Sequence, residues 1–317
     1  MTLETVPSGH VRSDMPSGPA PEMWVIDATA LLFRAYYGMP ARLSPAGEPV
    51  GAVLGLGHLL RNLLRRAPER VVLVYDAGRT TFRNRIDPGY KANRGEPPPD
   101  LAPQFERARE FGAAAGFVTL SVPDFEADDL MATLARGAAS AGLRTRLLSV
   151  DKDLCQLVRD EAPAVVLEDP RTGDTWDAAG VVQRMGVRPS QVVDYQALVG
   201  DTSDNVPGVA GVGPKAAQAL LAEFGDLDAL YAALGRVASL PLRGAKSLAA
   251  RLEAGREAAF LARALVRLHD AVPLGELDLH AHTRWRGPRD DADEFFAALG
   301  SVGALRGLRS IVAQARG

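Results

Sequence analysis

Apolar runs and polar breaks alternate along the first half of the chain. MWVID (residues 23–27) and VVLVYD (residues 71–76) are nearly continuous apolar runs that end in aspartate. Such runs read as strands buried on both faces of a parallel sheet, because helices cover both sides of it. Strands are expected at 23–28, 70–76, 117–121, 143–150 and 164–168, with helices at 51–66, 101–115, 126–141 and 152–158 between them. This alternation predicts an α/β domain with a mainly parallel sheet flanked by helices. From Asp177 the pattern turns helical, with short turns at GVRPS, NVPGVAGVGP and FGD. Residues 1–22 are rich in Pro, Ser and Gly, lack an apolar core and read as a disordered leader. The expected division is therefore 1–22, an α/β part at 23–176 and a helical part at 177–317.

Acidic residues recur where the apolar runs stop. Asp27 and Asp76 close the first two runs, and Glu126, Asp128 and Asp129 crowd into PDFEADDLM. Asp151 and Asp153 follow LLSV, while Asp201 and Asp204 sit in LVGDTSDN. A single Asp after a strand is most often a turn former or helix N-cap, and acids before a helix favour its positive end. That account covers one or two of these residues but not clusters in four places. In open parallel sheets ligands bind beyond the carboxyl ends of the strands. Carboxylates meeting there repel one another unless cations neutralise them, and oxygen-only ligands suit magnesium or manganese rather than zinc. The expectation is a metal site holding two ions.

Bulk properties narrow the alternatives. The chain of 317 residues is 47% hydrophobic and 24% charged, as ordinary globular proteins are. No apolar stretch approaches a membrane span. Its single cysteine, Cys155, excludes an internal disulfide framework, fits a reducing cytoplasm and lies among apolar neighbours in DKDLCQL. All five histidines fall outside the acidic clusters, which argues against triad or His-based acid–base chemistry. The net charge of −3 does not mark a nucleic-acid binder, but Arg79, Arg83, Arg85, Lys91 and Arg94 form a basic strip against the lone Asp87. A polyanion could lie on that strip while the acids hold cations, although such a run is more often a solvated surface. The segment from Thr80 to Asp100 is long and polar, as functional loops are.

Two glycine patterns need separating from nucleotide loops. GLGHLL at Gly55 lacks a third glycine and a preceding strand, and in GVAGVGPK Pro214 separates Gly213 from Lys215 with no Ser or Thr after it. The second stretch reads better as a helix–hairpin–helix. Gly208, Gly211 and Gly213 permit a tight turn with exposed amides, and Pro214 suits the first turn of the next helix. Amides at a helix N-terminus bind anions, and Lys215 adds charge. Such a turn grips a DNA phosphate without reading sequence.

VIDATALLFRAYY, VVLVYDAGRTTFR, PGYKANR, FEADDLMA, SVDKDLCQL and GDTSDNVPGVAGVGPKAA resemble, in this order, the successive motifs of the bacterial 5′-nuclease family. That family includes stand-alone flap endonucleases, phage 5′-exonucleases and the front domain of polymerase I. The resemblance implies a PIN-like catalytic domain with a helical arch around 80–115, and a hairpin motif around 200–222. It implies metal-dependent hydrolysis of DNA or RNA at 5′ ends and flap junctions, giving a 5′-phosphate and a 3′-hydroxyl. Asp27, Asp76, Glu126, Asp128 and Asp129 are then expected around a first metal, and Asp151, Asp153, Asp201 and Asp204 around a second. Lys91 and Arg94 match the basic residues at the base of the arch, Arg83 a further basic position, and Tyr90 a stacking residue. The hairpin is implied to hold the duplex backbone, often with a potassium ion on its carbonyls. With the chain stopping at Gly317, a stand-alone monomeric nuclease without a polymerase part is expected, acting in primer removal and repair.

Two rival functions fit parts of the pattern. A non-catalytic DNA-junction binder would use the hairpin and the strip but has no need of nine acids. A hydrolase of small phosphate esters would use the acids but gains nothing from the hairpin.

Overall fold

The computed structural model describes residues 20–241 and 244–316. The expected leader falls mostly outside these residues, and Glu22 already belongs to the first strand. The strands are β1 (Glu22–Asp27), β2 (Arg70–Val74), β3 (Val118–Leu120), β4 (Arg144–Leu148), β5 (Val165–Glu168) and β6 (Thr175–Trp176). They form one sheet in the order β3-β2-β1-β4-β5-β6, parallel except for β6. The helices flanking and joining them are α1 (Ala28–Gly38), α2 (Gly51–Leu64), α3 (Phe82–Ile86), α4 (Ala102–Ala114) and α5 (Ala127–Ser140). After the sheet come α6 (Ala178–Met185), α7 (Val192–Val199), α8 (Pro214–Phe224), α9 (Leu227–Ala232), α10 (Ala245–Ala254), α11 (Arg256–Val266), α12 (Ala292–Ala298) and α13 (Val302–Arg316).

The alternation within β1 and β2 sorts their side chains onto two faces, as a period of two requires. Met23, Val25, Val72 and Val74 face a core that continues through Leu130 and Leu134 of α5 into Leu198, Leu220 and Leu265 of the later helices. Trp24, Ile26, Val71 and Leu73 face a second core with Leu32, Leu56, Leu60 and Phe111. Both faces are dry, so β1 and β2 carry no polar alternation, and each buried Leu or Val side chain contributes about 1.5–3 kcal/mol. One core thus joins the sheet to α7 and α8, which flank the loop that carries Asp201 and Asp204.

Four features differ from the expected pattern. α1 starts directly after β1 with Asp27 as its N-cap, and Lys152–Leu157 is a 3-10 turn rather than an α-helix. The segment expected as a helical arch contains only α3 and α4, with turns over residues 87–101, where Pro97–Pro99 cannot supply the amides a helix needs. The end of the chain leaves the helical part: Phe296, Leu305 and Leu308 pack in the second core, and the Val71 amide donates to the Thr283 carbonyl at 2.9 Å.

Candidate metal and nucleic-acid site

Strand order brings the acids together. β2, β1 and β4 are adjacent and parallel, so Asp27 at the end of β1, Asp76 just beyond β2 and Asp151 just beyond β4 arrive at one edge of the sheet. This edge also holds the reversal of strand order, where open sheets form their crevice. Asp27 Oδ1 accepts from the Ala30 amide at 2.9 Å and Oδ2 from Ser149 Oγ at 3.1 Å. Asp27 is therefore both the cap the bland account expected and a member of the cluster. Asp76 Oδ1 accepts from the Ala127 amide at 2.8 Å, and its own amide donates to Thr29 Oγ1 at 2.9 Å. These bonds fix Asp76 against the start of α5, which carries Asp128, and Asp27 between the start of α1 and the end of β4.

The electrostatics identify the side chains short of positive charge. Burial, then Asp76, pushes the Asp27 carboxyl up to about 7. Burial, then Asp151 and Asp27, raises Asp128 well above the ordinary range, and burial, with Glu126 adding to it, raises Asp76. Burial, then Asp151, pushes Asp153 up to about 7. The half-buried Asp128 carboxylate accepts no hydrogen bond from any described residue. Like-charged oxygens held together and left without counter-charge fit hard divalent cations such as magnesium or manganese. Among the described residues no three donors close on one point as a finished ligand set. Protein cations hold several of them instead. Lys91 Nζ donates to Glu126 Oε2 at 2.9 Å and lies 3.5 Å from Asp204 Oδ2, Arg94 pairs with Asp204, and Lys152 pairs with Asp201. Burial alone would depress the Lys91 ammonium, yet Glu126, Tyr90 and Asp204 raise it above the ordinary lysine value.

The turn carrying Lys91 is stitched to the loop carrying Asp204. The Lys91 amide donates to the Asp204 carbonyl at 2.8 Å, Asn93 Nδ2 to the Thr202 carbonyl at 2.9 Å and Asn205 Nδ2 to the Gly89 carbonyl at 2.7 Å. Lys91 and Asn205 both have left-handed backbone, at φ +55° each. Non-glycine residues tolerate this only where surrounding bonds hold them.

Several expected roles need correcting. Asp129 is completely buried and faces away from the crevice. Its oxygens accept from Arg83 Nη1 and Nη2, both at 2.8 Å, from the Glu126 amide at 3.1 Å and from the His269 amide at 2.8 Å. No lone pair remains for a metal. Arg83 is 1% exposed, also donates to the Leu265 carbonyl at 2.7 Å, and so cannot meet DNA. Tyr90 is buried, with its hydroxyl 3.1 Å from Glu126 Oε2, so its ring offers no stacking face. The basic strip is not an open anion surface. Arg79 pairs with Glu96, Arg83 with Asp129, Arg85 with Asp124, Lys91 with Glu126 and Arg94 with Asp204.

The hairpin lies between α7 and α8. Val209 N donates to the Leu198 carbonyl at 2.9 Å, and Pro214 occupies the first turn of α8. Gly211 has φ +76°, and Gly213 faces open space. Gly208 serves close approach instead, since a Cβ there would lie 2.5 Å from backbone atoms of Val199 and Gly200. Three carbonyls of the turn already have protein donors. Val209 O accepts from Val212 N at 2.9 Å, Gly213 O from Ala216 N and Ala217 N at 3.0 Å each, and Gly211 O from Arg251 Nη1 at 3.1 Å. Sequence reading missed Thr29, Ser149, Asn93, Asn205, Arg251 and Gln196, which donates to the Asp153 carboxylate; their partners lie far away in the chain. Lys152, between Asp151 and Asp153 in SVDKDL, was visible there.

A parallel sheet gathering carboxylates at its carboxyl edge, with a helical part supplying more, defines the metal-dependent 5′ nucleases. The chain belongs to the 5′-3′ exonuclease family: residues 22–186 match its N-terminal resolvase-like domain and residues 187–290 its C-terminal SAM fold. It is 40% identical over 252 residues to DNA polymerase I of Pseudomonas aeruginosa, covering 79% of this chain and 27% of that protein. It is 37% identical over 256 residues to the thermostable DNA polymerase I of Thermus thermophilus, covering 81% and 30%. The chain thus spans between a quarter and a third of these two relatives. In fold it is similar to T5 5′-exonuclease with divalent metal ions (zinc) bound, at a TM-score of 0.63 and 22% identity over 92% of this chain and 98% of that one. It is also similar to the catalytic core of Rad2 in complex with DNA substrate, at a TM-score of 0.60 and 16% identity over 92% of each. No helix among the described residues is long and apolar enough to cross a membrane.

Proposed function

We propose that this chain hydrolyses phosphodiesters of DNA and RNA as a structure-specific 5′ nuclease, both exonucleolytically and at 5′ flaps. The observation that carries this reading is the set of under-neutralised carboxylates at the β1, β2 and β4 edge, beside the ammonium of Lys91. Asp27, Asp76, Glu126, Asp128, Asp151, Asp153, Asp201 and Asp204 hold two magnesium or manganese ions. When bound, such ions lower the pKa of attacking water and stabilise the leaving oxygen. Lys91 and Arg94 then turn from their carboxylates to the scissile phosphate and offset its growing charge. No histidine, cysteine or serine nucleophile is required. The free turn amides and Lys215 hold the duplex backbone, which places the 5′ end at the acids.

The α/β part supplies most of the ion ligands, and the helical part adds Asp201 and Asp204 and positions the duplex. The substrates are DNA 5′ ends, flaps and RNA primers on DNA, which fits a cytoplasmic monomer acting in primer removal and repair beside a polymerase. The test is incubation with a 5′-labelled flap duplex and with a small phosphate ester, each in magnesium and in EDTA. Magnesium-dependent release of short 5′ products from the flap alone is expected. Ester hydrolysis without flap cleavage, or flap binding without any product, would overturn it.

A further inference from the structure

Arg251 reaches the hairpin from α10, in a part of the chain with no assigned role. Its Nη1 donates to the Gly211 carbonyl at 3.1 Å, and Nη2 lies 3.4 Å from Ser247 Oγ. The guanidinium stem packs directly on the turn, since a Cβ on Gly211 would lie 3.1 Å from both Cδ and Nη1 of Arg251. The contact is braced from behind. The Gly255 amide donates to the Arg251 carbonyl at 2.8 Å, and a Cβ on Gly255 would meet Val209 Cγ1 of the hairpin at 2.8 Å. α10 and the hairpin are therefore pressed together where Arg251 leaves its helix. Arg251 and Lys215 are exposed, and neither forms an ion pair among the described residues. The amides of Gly211, Gly213 and Lys215 donate to no described backbone carbonyl.

A monovalent cation on hairpin carbonyls would neutralise part of the incoming phosphate charge. Here that charge is already in place and covalently held, because a guanidinium sits on the Gly211 oxygen. A potassium ion on the same carbonyl would be repelled by it. We propose that Arg251 replaces the monovalent cation of the hairpin, so that the turn binds a duplex phosphate without potassium. This rests on the reading of the hairpin as a phosphate-binding turn. A guanidinium suits the task, since its fork can satisfy a carbonyl with one N–H and a phosphate oxygen with others.

The test measures binding of the full chain to a labelled duplex by fluorescence anisotropy, in EDTA to prevent cleavage. KCl, NaCl and tetramethylammonium chloride are compared at matched ionic strength. Wild-type Kd is expected to agree within about twofold in all three salts. Arg251→Met is expected to weaken binding by about tenfold in tetramethylammonium, with potassium restoring most of the loss. Arg251→Lys, which keeps the charge, is expected to stay insensitive to the choice of cation. A wild-type affinity at least about fivefold higher in potassium would overturn the proposal. So would an Arg251→Met variant that binds like wild type while Lys215→Ala binds weakly. If Lys215→Ala and Arg251→Met both bind as wild type in every salt, the hairpin does not hold phosphate, and the underlying reading fails with the proposal. Matching thermal melts confirm that each variant is folded.

Discussion

Arg83 and Asp129 form a fork-to-fork ion pair sealed inside the protein, with both nitrogen–oxygen distances at 2.8 Å. Arg83 lies on α3, Asp129 on α5, and the carbonyls and amide that complete the pair belong to residues 265–269, at the end of α11 and just past it. The pair therefore ties three distant segments together, and through the Glu126 amide it sets the start of α5. Arg83→Ala leaves a buried carboxylate unpaired, which costs about 3–5 kcal/mol. Urea unfolding followed by tryptophan fluorescence should show that loss. A change below about 1 kcal/mol, with weaker DNA binding instead, would return Arg83 to the substrate surface.

Asp128 is the acid with the fewest protein partners, so its charge is available to bound ions. Asp128→Asn should reduce single-turnover flap cleavage by about 10²-fold or more while binding in EDTA stays near wild type. Wild-type turnover in this variant would remove Asp128 from the site.

Lys91 contributes to the site differently, as a cation already desolvated beside Glu126 and Asp204. Lys91→Ala is expected to slow single-turnover cleavage by about 10²–10³-fold. If rapid-quench measurements gave a near-normal rate, the ammonium would be only a structural counter-ion.

Two hairpin glycines should respond differently. A Cβ at Gly208 meets backbone at 2.5 Å, whereas one at Gly213 meets nothing within 4 Å. Gly208→Ala should lower stability by about 1–3 kcal/mol, with Gly213→Ala near neutral. Thermal melts of the two variants that coincide would contradict this packing.

Burial pushes the Cys155 thiol from 9.0 up to about 11. The folded state then holds its proton more tightly than the unfolded chain. The resulting stability is complete below about pH 9 and is lost as pH rises towards 11. An aromatic disulfide reagent at pH 8 should react slowly with native protein and fully with unfolded protein. Fast native labelling would show that the thiol is not buried.

The sheet and most of the acids were legible in the sequence because each rests on local pattern. A continuous apolar run followed by Asp marks both the strand and its carboxyl end, and Gly-Val-Gly-Pro marks the hairpin. Pairing between distant charges leaves no such mark. Arg83 reads as part of a basic strip until the fold brings Asp129 beneath it, and Asp129 reads like its neighbour Asp128 until the helix turns them apart. The same holds for Lys91 and Arg94, whose partners come from Glu126 and Asp204. The return of α12 and α13 to the sheet was hidden because their apolar spacing shows only that they are buried, and not against what.

The stitched contact between residues 89–93 and 202–205 has a mechanical consequence. Lys91 cannot swing with its backbone unless Asp204 travels with it, and Asn205 grips the other side of the same turn. Asp204 is held to this turn through both its carbonyl and its carboxylate, by the Lys91 amide and by Arg94. A displacement of either segment is thus passed directly to the other, although more than a hundred residues separate them in the chain.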